Sequence, residues 1–121
     1  MLPKRVLNVD DNHIVRMAVQ NIILSMGHEG VEAEDGLEAK IFLKGQSFDL
    51  VITDLTMPKM SGIELLRWIR SQENLKALPV IVHSDAAEPH DILEIELLGG
   101  ILIVKARDSL DAAIERIPGF S

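Results

Sequence analysis

The sequence predicts an α/β fold, a five-stranded parallel sheet wound on both faces by five helices. Three observations predict it. Five short apolar runs alternate with five helical patterns. Leu50-Val51-Ile52-Thr53 shows no polar alternation, as expected of a strand covered on both faces. Gly27, Gly45 and Gly99-Gly100 punctuate the helical stretches where each should stop.

In order along the chain, Val6-Leu7-Asn8-Val9 reads as the first strand. The pattern turns helical from Asn12, with Val15, Ala18, Val19, Ile22 and Met26 on one face and Gly27 just past the end. Val31-Glu32-Ala33 is a short second strand. Gly36 opens a second helix, Leu37 to about Leu43, ended by Gly45. Leu50 to Thr53 is the third strand, and residues 58–62 form a loop. A third amphipathic helix carries Gly62, Leu65, Leu66 and Ile69. Pro79-Val80-Ile81-Val82 is the fourth strand. Pro89 suits the first turn of a fourth helix that runs to Leu98. Ile101-Leu102-Ile103-Val104 is the fifth strand. Asp108 is the expected cap of a fifth helix with its buried stripe at Leu110, Ala113, Ile114 and Ile117, and Asp111 near its third position.

The 121 residues, 13.4 kDa, suit one domain spanning 1–121, with no effector domain expected. The net charge of −7 argues against nucleic-acid binding, which needs a basic footprint. Without cysteine there is no disulfide and no thiolate metal site. The apolar runs are strand-sized, so no membrane span is expected. The first residues lack a signal-peptide pattern, and a cytoplasmic location is the expectation.

In parallel α/β sheets the site lies beyond the C-terminal ends of the strands. There the sequence places Asp10-Asp11 after strand one, Asp54 after strand three, His83-Ser84-Asp85 after strand four and Lys105 after strand five. One such aspartate alone is often a turn former or helix cap. Together they differ: two carboxylates about 5 Å apart repel by roughly 3 kcal/mol at an effective dielectric near 20. Lys105 offsets only part of that. Carboxylate oxygens without His or Cys suit a hard cation, and so few protein ligands suit Mg2+. Mg2+, an ammonium and a hydroxyl are what chemistry at a phosphoryl group requires. No P-loop glycine pattern is present, and adjacent strand residues such as His83, Ser84 and Asp85 point apart, which argues against a hydrolase triad. His13, His28, His83 and His90 lack metal-ligand spacing and read as surface or loop histidines.

Val9-Asp10-Asp11, the segment Asp54-Leu55-Thr56-Met57-Pro58-Lys59-Met60-Ser61-Gly62, Pro79 to Ser84 and the late Lys105 together resemble the receiver domain of two-component response regulators, over nearly the whole chain. The resemblance implies the CheY-like, flavodoxin-like strand order 2-1-3-4-5. It implies that Asp54 is the phosphoacceptor, taking a phosphoryl group from a sensor histidine kinase or a phosphotransfer protein. Asp11, Asp54 and the backbone carbonyl of Thr56 match direct Mg2+ ligands, and Asp10 a ligand acting through water. Ser84 matches a switch hydroxyl and Lys105 the lysine that pairs with the phosphoryl group. Output to a downstream target would be by protein contact, and the domain would be a stoichiometric acceptor rather than a turnover enzyme.

Three positions depart from the family pattern. Leu102 stands where an aromatic switch residue is usual. Asp85 stands where a small residue is usual, and an inward carboxylate there would disfavour a phosphoryl group. Ala106 replaces the usual proline after Lys105, so the intervening bond should be trans, since a cis bond before an ordinary residue costs about 2.5–4 kcal/mol. The stretch from Ser84 to Lys105 is about a residue short, which could reposition the fourth helix. Two alternatives follow: a pseudo-receiver that acts as a phosphorylation-independent interaction module, and a Mg2+-dependent phosphatase acting on a separate substrate.

Overall fold

The structure is a computed structural model, and it describes residues 2–120. Its elements are β1 (Arg5–Val9), α1 (His13–Ser25), β2 (Glu29–Ala33), α2 (Gly36–Gly45), β3 (Leu50–Thr53), α3 (Gly62–Ser71), β4 (Val80–Ser84), α4 (Pro89–Leu97), β5 (Ile101–Val104) and α5 (Leu110–Glu115). All strands pair in parallel in the order β2-β1-β3-β4-β5. The expected fold class and order are therefore those observed.

The two-residue strand period divides the core into two layers. Leu7, Val9, Val51, Val80 and Val82 face Leu43, Leu66, Ile69 and Ile95 of α2, α3 and α4. Val6, Leu50, Ile52, Ile81 and Ile103 face Val19, Ile23, Leu110 and Ile114 of α1 and α5. Every residue of β3 is buried, as its apolar run requires.

Several local expectations are corrected. Ile23, not Ala18, anchors α1 beside Val19, and Ala18 is exposed. Gly45 is the last helical residue of α2 rather than a residue beyond it. β4 runs on through His83 and Ser84. The cap of α5 is Ser109, whose hydroxyl accepts from the Ala112 amide, which makes Asp111 the second helical residue. Asp108 instead accepts the Val104 amide at 2.9 Å and pairs with Arg107, because that strand-end N–H has no sheet partner to satisfy it. The helix stops at Glu115, and Ile117 is buried in the turn beyond it. The bond between Lys105 and Ala106 is trans, as no described peptide bond is cis.

Two histidines are not at the surface. His28 is buried, its Nδ1 accepting the Lys4 amide at 3.0 Å and its ring edge-on to Phe120. His83 is half-buried on β4. No described helix is long and apolar enough to cross a membrane.

Candidate functional site

The C-terminal edge of the sheet is built by continuing the ladder past the strand ends. The Asp10 amide donates to the Ala33 carbonyl at 3.1 Å, and the Asp54 amide to the Val9 carbonyl at 3.0 Å. The Lys105 amide donates to the Ser84 carbonyl at 2.8 Å. These bonds carry the register of β2, β1 and β3, and that of β4 and β5, one residue past the strand ends. Strand alternation then sends Asp10, Asp54 and Lys105 to the same side of the sheet, the α1 and α5 side.

The outcome is one pocket. Carboxylate oxygens of Asp10, Asp11 and Asp54 lie within 4.8 Å of one another. Lys105 Nζ stands 3.6 Å from Asp10 and 3.7 Å from Asp54. The side chains of Asp10, Asp54 and Lys105 are only 4%, 15% and 16% exposed, so their charges act through poorly screening surroundings. Asp11 is exposed at the mouth.

The electrostatics follow from crowding. Burial raises the pKa of Asp54, the Asp10 charge raises it further, and Lys105 and the Leu55 amide pull the other way. Burial likewise raises the pKa of Asp10, against the Asn12 amide and Lys105. Three carboxylates face one ammonium, an excess of negative charge that a bound cation would neutralise. This donor set, oxygens only and at this spacing, fits a hard divalent ion such as Mg2+.

The remaining expected residues lie on or just after β3, β4 and β5. Thr56 is exposed on the loop that leaves β3. Ser84 is buried at the end of β4, and its hydroxyl donates to the Ala86 carbonyl at 2.9 Å. Asp85 is exposed, so the feared inward carboxylate is not there. Leu102 packs with the α2–α4 layer, the layer to which Ser84 also points. His83 faces the Lys105 side instead. Burial, reinforced by the Lys105 charge, pushes its pKa down to about 4, so it is neutral at physiological pH.

Three further residues support the site. Arg16 Nη1 donates to the Asp10 carbonyl at 2.7 Å while its Nε pairs with Glu32 at 3.1 Å, which fastens the acidic loop to α1. Gly62 is obligatory: a Cβ there would stand 2.1 Å from the Asp54 carbonyl oxygen. Lys59, with a φ of 70°, extends Nζ to Asp35 at 3.4 Å and ties the loop after β3 to the start of α2. Gly62 was visible within the loop motif; the other two contacts join residues distant in sequence and left no local signal.

Comparison with known proteins agrees with this geometry. The family profile described as the response regulator receiver domain matches residues 6–115. The chain is 37% identical over 121 residues to chemotaxis protein CheY-3 of Vibrio cholerae, with 93% of each covered. A response regulator receiver protein from Pseudomonas putida superposes with a TM-score of 0.85 at 33% identity, covering 95% of each chain. The response regulator TrrA of Thermotoga maritima, solved in complex with Mg2+ and BeF, superposes at 0.82 with 28% identity, covering 98% of this chain and 99% of that one.

Proposed function

Because the chain belongs to the response regulator receiver family, we propose that Asp54 accepts a phosphoryl group from a sensor histidine kinase or a phosphotransfer protein. The observation that carries the reading is the Asp54 carboxylate itself, at a strand end, within 4.8 Å of two further carboxylates and 3.7 Å from an ammonium.

In the forward step an Asp54 oxygen attacks the phosphorus of a phosphohistidine. The P–N bond breaks with its electron pair returning to the imidazole, and an O–P bond forms. Lys105 pairs with one phosphoryl oxygen. Ser84 gives up the Ala86 carbonyl and donates its hydroxyl to another. In the reverse of activation, water attacks phosphorus, the O–P bond breaks, and the Asp54 carboxylate is regenerated as inorganic phosphate leaves. The domain is in this reading a stoichiometric acceptor, not a turnover enzyme. Mg2+, when bound, supplies the charge neutralisation that lets an anionic carboxylate approach an anionic phosphoryl group. Asp11, Asp54 and the Thr56 carbonyl would hold it directly, and Asp10 through water. TrrA, crystallised with Mg2+ and BeF, supports this cofactor.

Output to a target protein passes through the loop after β4. Leu102 has no ring to relocate and no polar tip to rebond, so the change at β5 is small.

Beryllium fluoride, a tetrahedral mimic of an acyl-bound phosphoryl group, tests the assignment. With Mg2+ present it raises the unfolding midpoint of the wild-type protein and leaves Asp54→Asn unmoved. A wild-type midpoint that ignores beryllium fluoride in millimolar Mg2+ identifies a pseudo-receiver, an interaction module independent of phosphate.

A further inference from the structure

A second feature lies away from the phosphoacceptor pocket, on the outer surface between α2 and α3. Trp68, the one tryptophan of the chain, is half-buried there. Lys40 Nζ lies 5.0 Å from its ring centroid and Lys44 Nζ 6.0 Å. Both lysines are on α2, four residues apart, so they share one face. Neither makes an ion pair among the described residues, although carboxylates outnumber cations 19 to 12 in this chain.

The surface is concave. A groove of about 350 Å³ is lined by Lys40, Met60, Glu64, Arg67, Trp68 and Ser71. A separate, larger cavity of about 520 Å³ is lined by Lys44, Phe48, Leu75 and Lys76, at the opposite end of the sheet from Asp54. Lys44 lines this cavity while its Nζ lies 6.0 Å from the Trp68 ring of the groove. Met60 and Trp68 thus share the groove with Lys40, and Phe48 and Leu75 share the cavity with Lys44 and Lys76. Glu64 is occupied in capping α3, Arg67 pairs with Glu94, and Lys76 pairs with Glu73, which leaves Lys40 and Lys44 as the free charges.

We propose that this groove is a docking site for an acidic peptide segment of a partner protein, with an apolar side chain seated against Trp68 and carboxylates on Lys40 and Lys44. The local charge is opposite in sign to that of the chain as a whole, which selects an anionic segment, whereas a symmetric pairing of this patch with its own copy would set lysine against lysine. A tryptophan face already approached by ammonium groups favours a ligand that supplies carboxylates to them and a hydrophobic contact to the ring edge.

Trp68 is its own reporter. The purified protein is titrated with a short synthetic peptide of alternating glutamate and leucine, free of tryptophan and tyrosine, while tryptophan emission is followed. The expected result is a saturable change in emission. It weakens between about 0.1 and 1 M salt, as the screening length shortens from about 10 to about 3 Å. The double variant Lys40→Glu/Lys44→Glu loses about ten-fold or more in affinity and Lys40→Gln/Lys44→Gln loses less, about five-fold. Both variants keep the wild-type circular dichroism and the Mg2+ response. Three results overturn the proposal: no saturable change with the acidic peptide, an equal response to a lysine–leucine peptide, or unaltered binding in both variants. Self-association of the wild type that the same substitutions abolish also overturns it and makes a second copy the occupant.

Discussion

The surroundings of Asp54 work against a negative charge on its carboxyl, and that tension is measurable. Its carboxyl and that of Asp10 both have raised pKa values through burial, with the Asp10 charge adding to the effect at Asp54. A raised carboxyl binds its proton more tightly in the folded than in the unfolded chain. Stability therefore falls as pH rises from about the ordinary value of 3.8 through the raised folded values, and the whole penalty is present above them. Asp54→Asn removes one repelling charge, so in metal-free buffer it unfolds at a higher temperature than the wild type at neutral pH. The advantage shrinks as the solution is acidified. Thermal melts in chelator across pH 3.5 to 7.5 check this, and a variant less stable than wild type at pH 7 would contradict it. His83 runs the other way. Its folded pKa of about 4 lies below the ordinary 6.5, so the unfolded chain takes the proton first. The contribution of His83 to stability is complete above about pH 6.5 and is lost as pH falls toward 4. The stability difference between wild type and His83→Asn should accordingly rise with pH across that window and then stay level. A flat difference from pH 4 to 7 would mean that His83 is solvated and not held neutral by burial.

At the scale of elements, α5 shows what a sequence can and cannot settle. Asp108-Ser109 offers two good capping residues in succession, and the chain alone does not rank them. The choice falls to Ser109 because the Val104 amide at the end of β5 needs an acceptor, and Asp108 is the carboxylate within reach. Ser109→Ala should cost about 1 kcal/mol, the usual worth of a cap, without disturbing β5. Asp108→Ala should in addition expose the Val104 amide to faster hydrogen exchange. Equal protection of Val104 in the two variants would contradict this division of roles. The same reasoning explains the other elements. β3 and β5 were legible to the residue because their apolar runs are bounded by polar turns. β4 was read short because His83 and Ser84 are polar, yet their backbone pairs with Ile103 and Val104. Burial of a strand-end histidine depends on which neighbours cover it, and that information is tertiary. Ala18 was misplaced for a related reason: a helical stripe one residue wide cannot tell its edge from its centre until a sheet is laid against it.

For the whole molecule, the arrangement of the pocket was legible because topology does the assembling. The Asp10-Asp11 pair, Asp54, Ser84 and Lys105 lie far apart in sequence, but each ends or follows a strand of one parallel sheet, and parallel strands all end at the same edge. What was not legible is what holds that edge in shape: Arg16 on the Asp10 carbonyl, and Lys59 on Asp35. The basic patch across α2 and α3 was equally hidden, since Lys40, Lys44 and Trp68 carry no motif until two helices pack side by side. The central claim is that Asp54 accepts a phosphoryl group in a Mg2+-dependent reaction. Intact-mass measurement after incubation with a small phosphodonor, with and without Mg2+, tests it most directly. The account predicts one added phosphoryl group, formed with Mg2+ present and absent in Asp54→Asn. No adduct on the folded wild-type protein, an adduct that persists in Asp54→Asn, or catalytic release of phosphate from many donors without any adduct would contradict it.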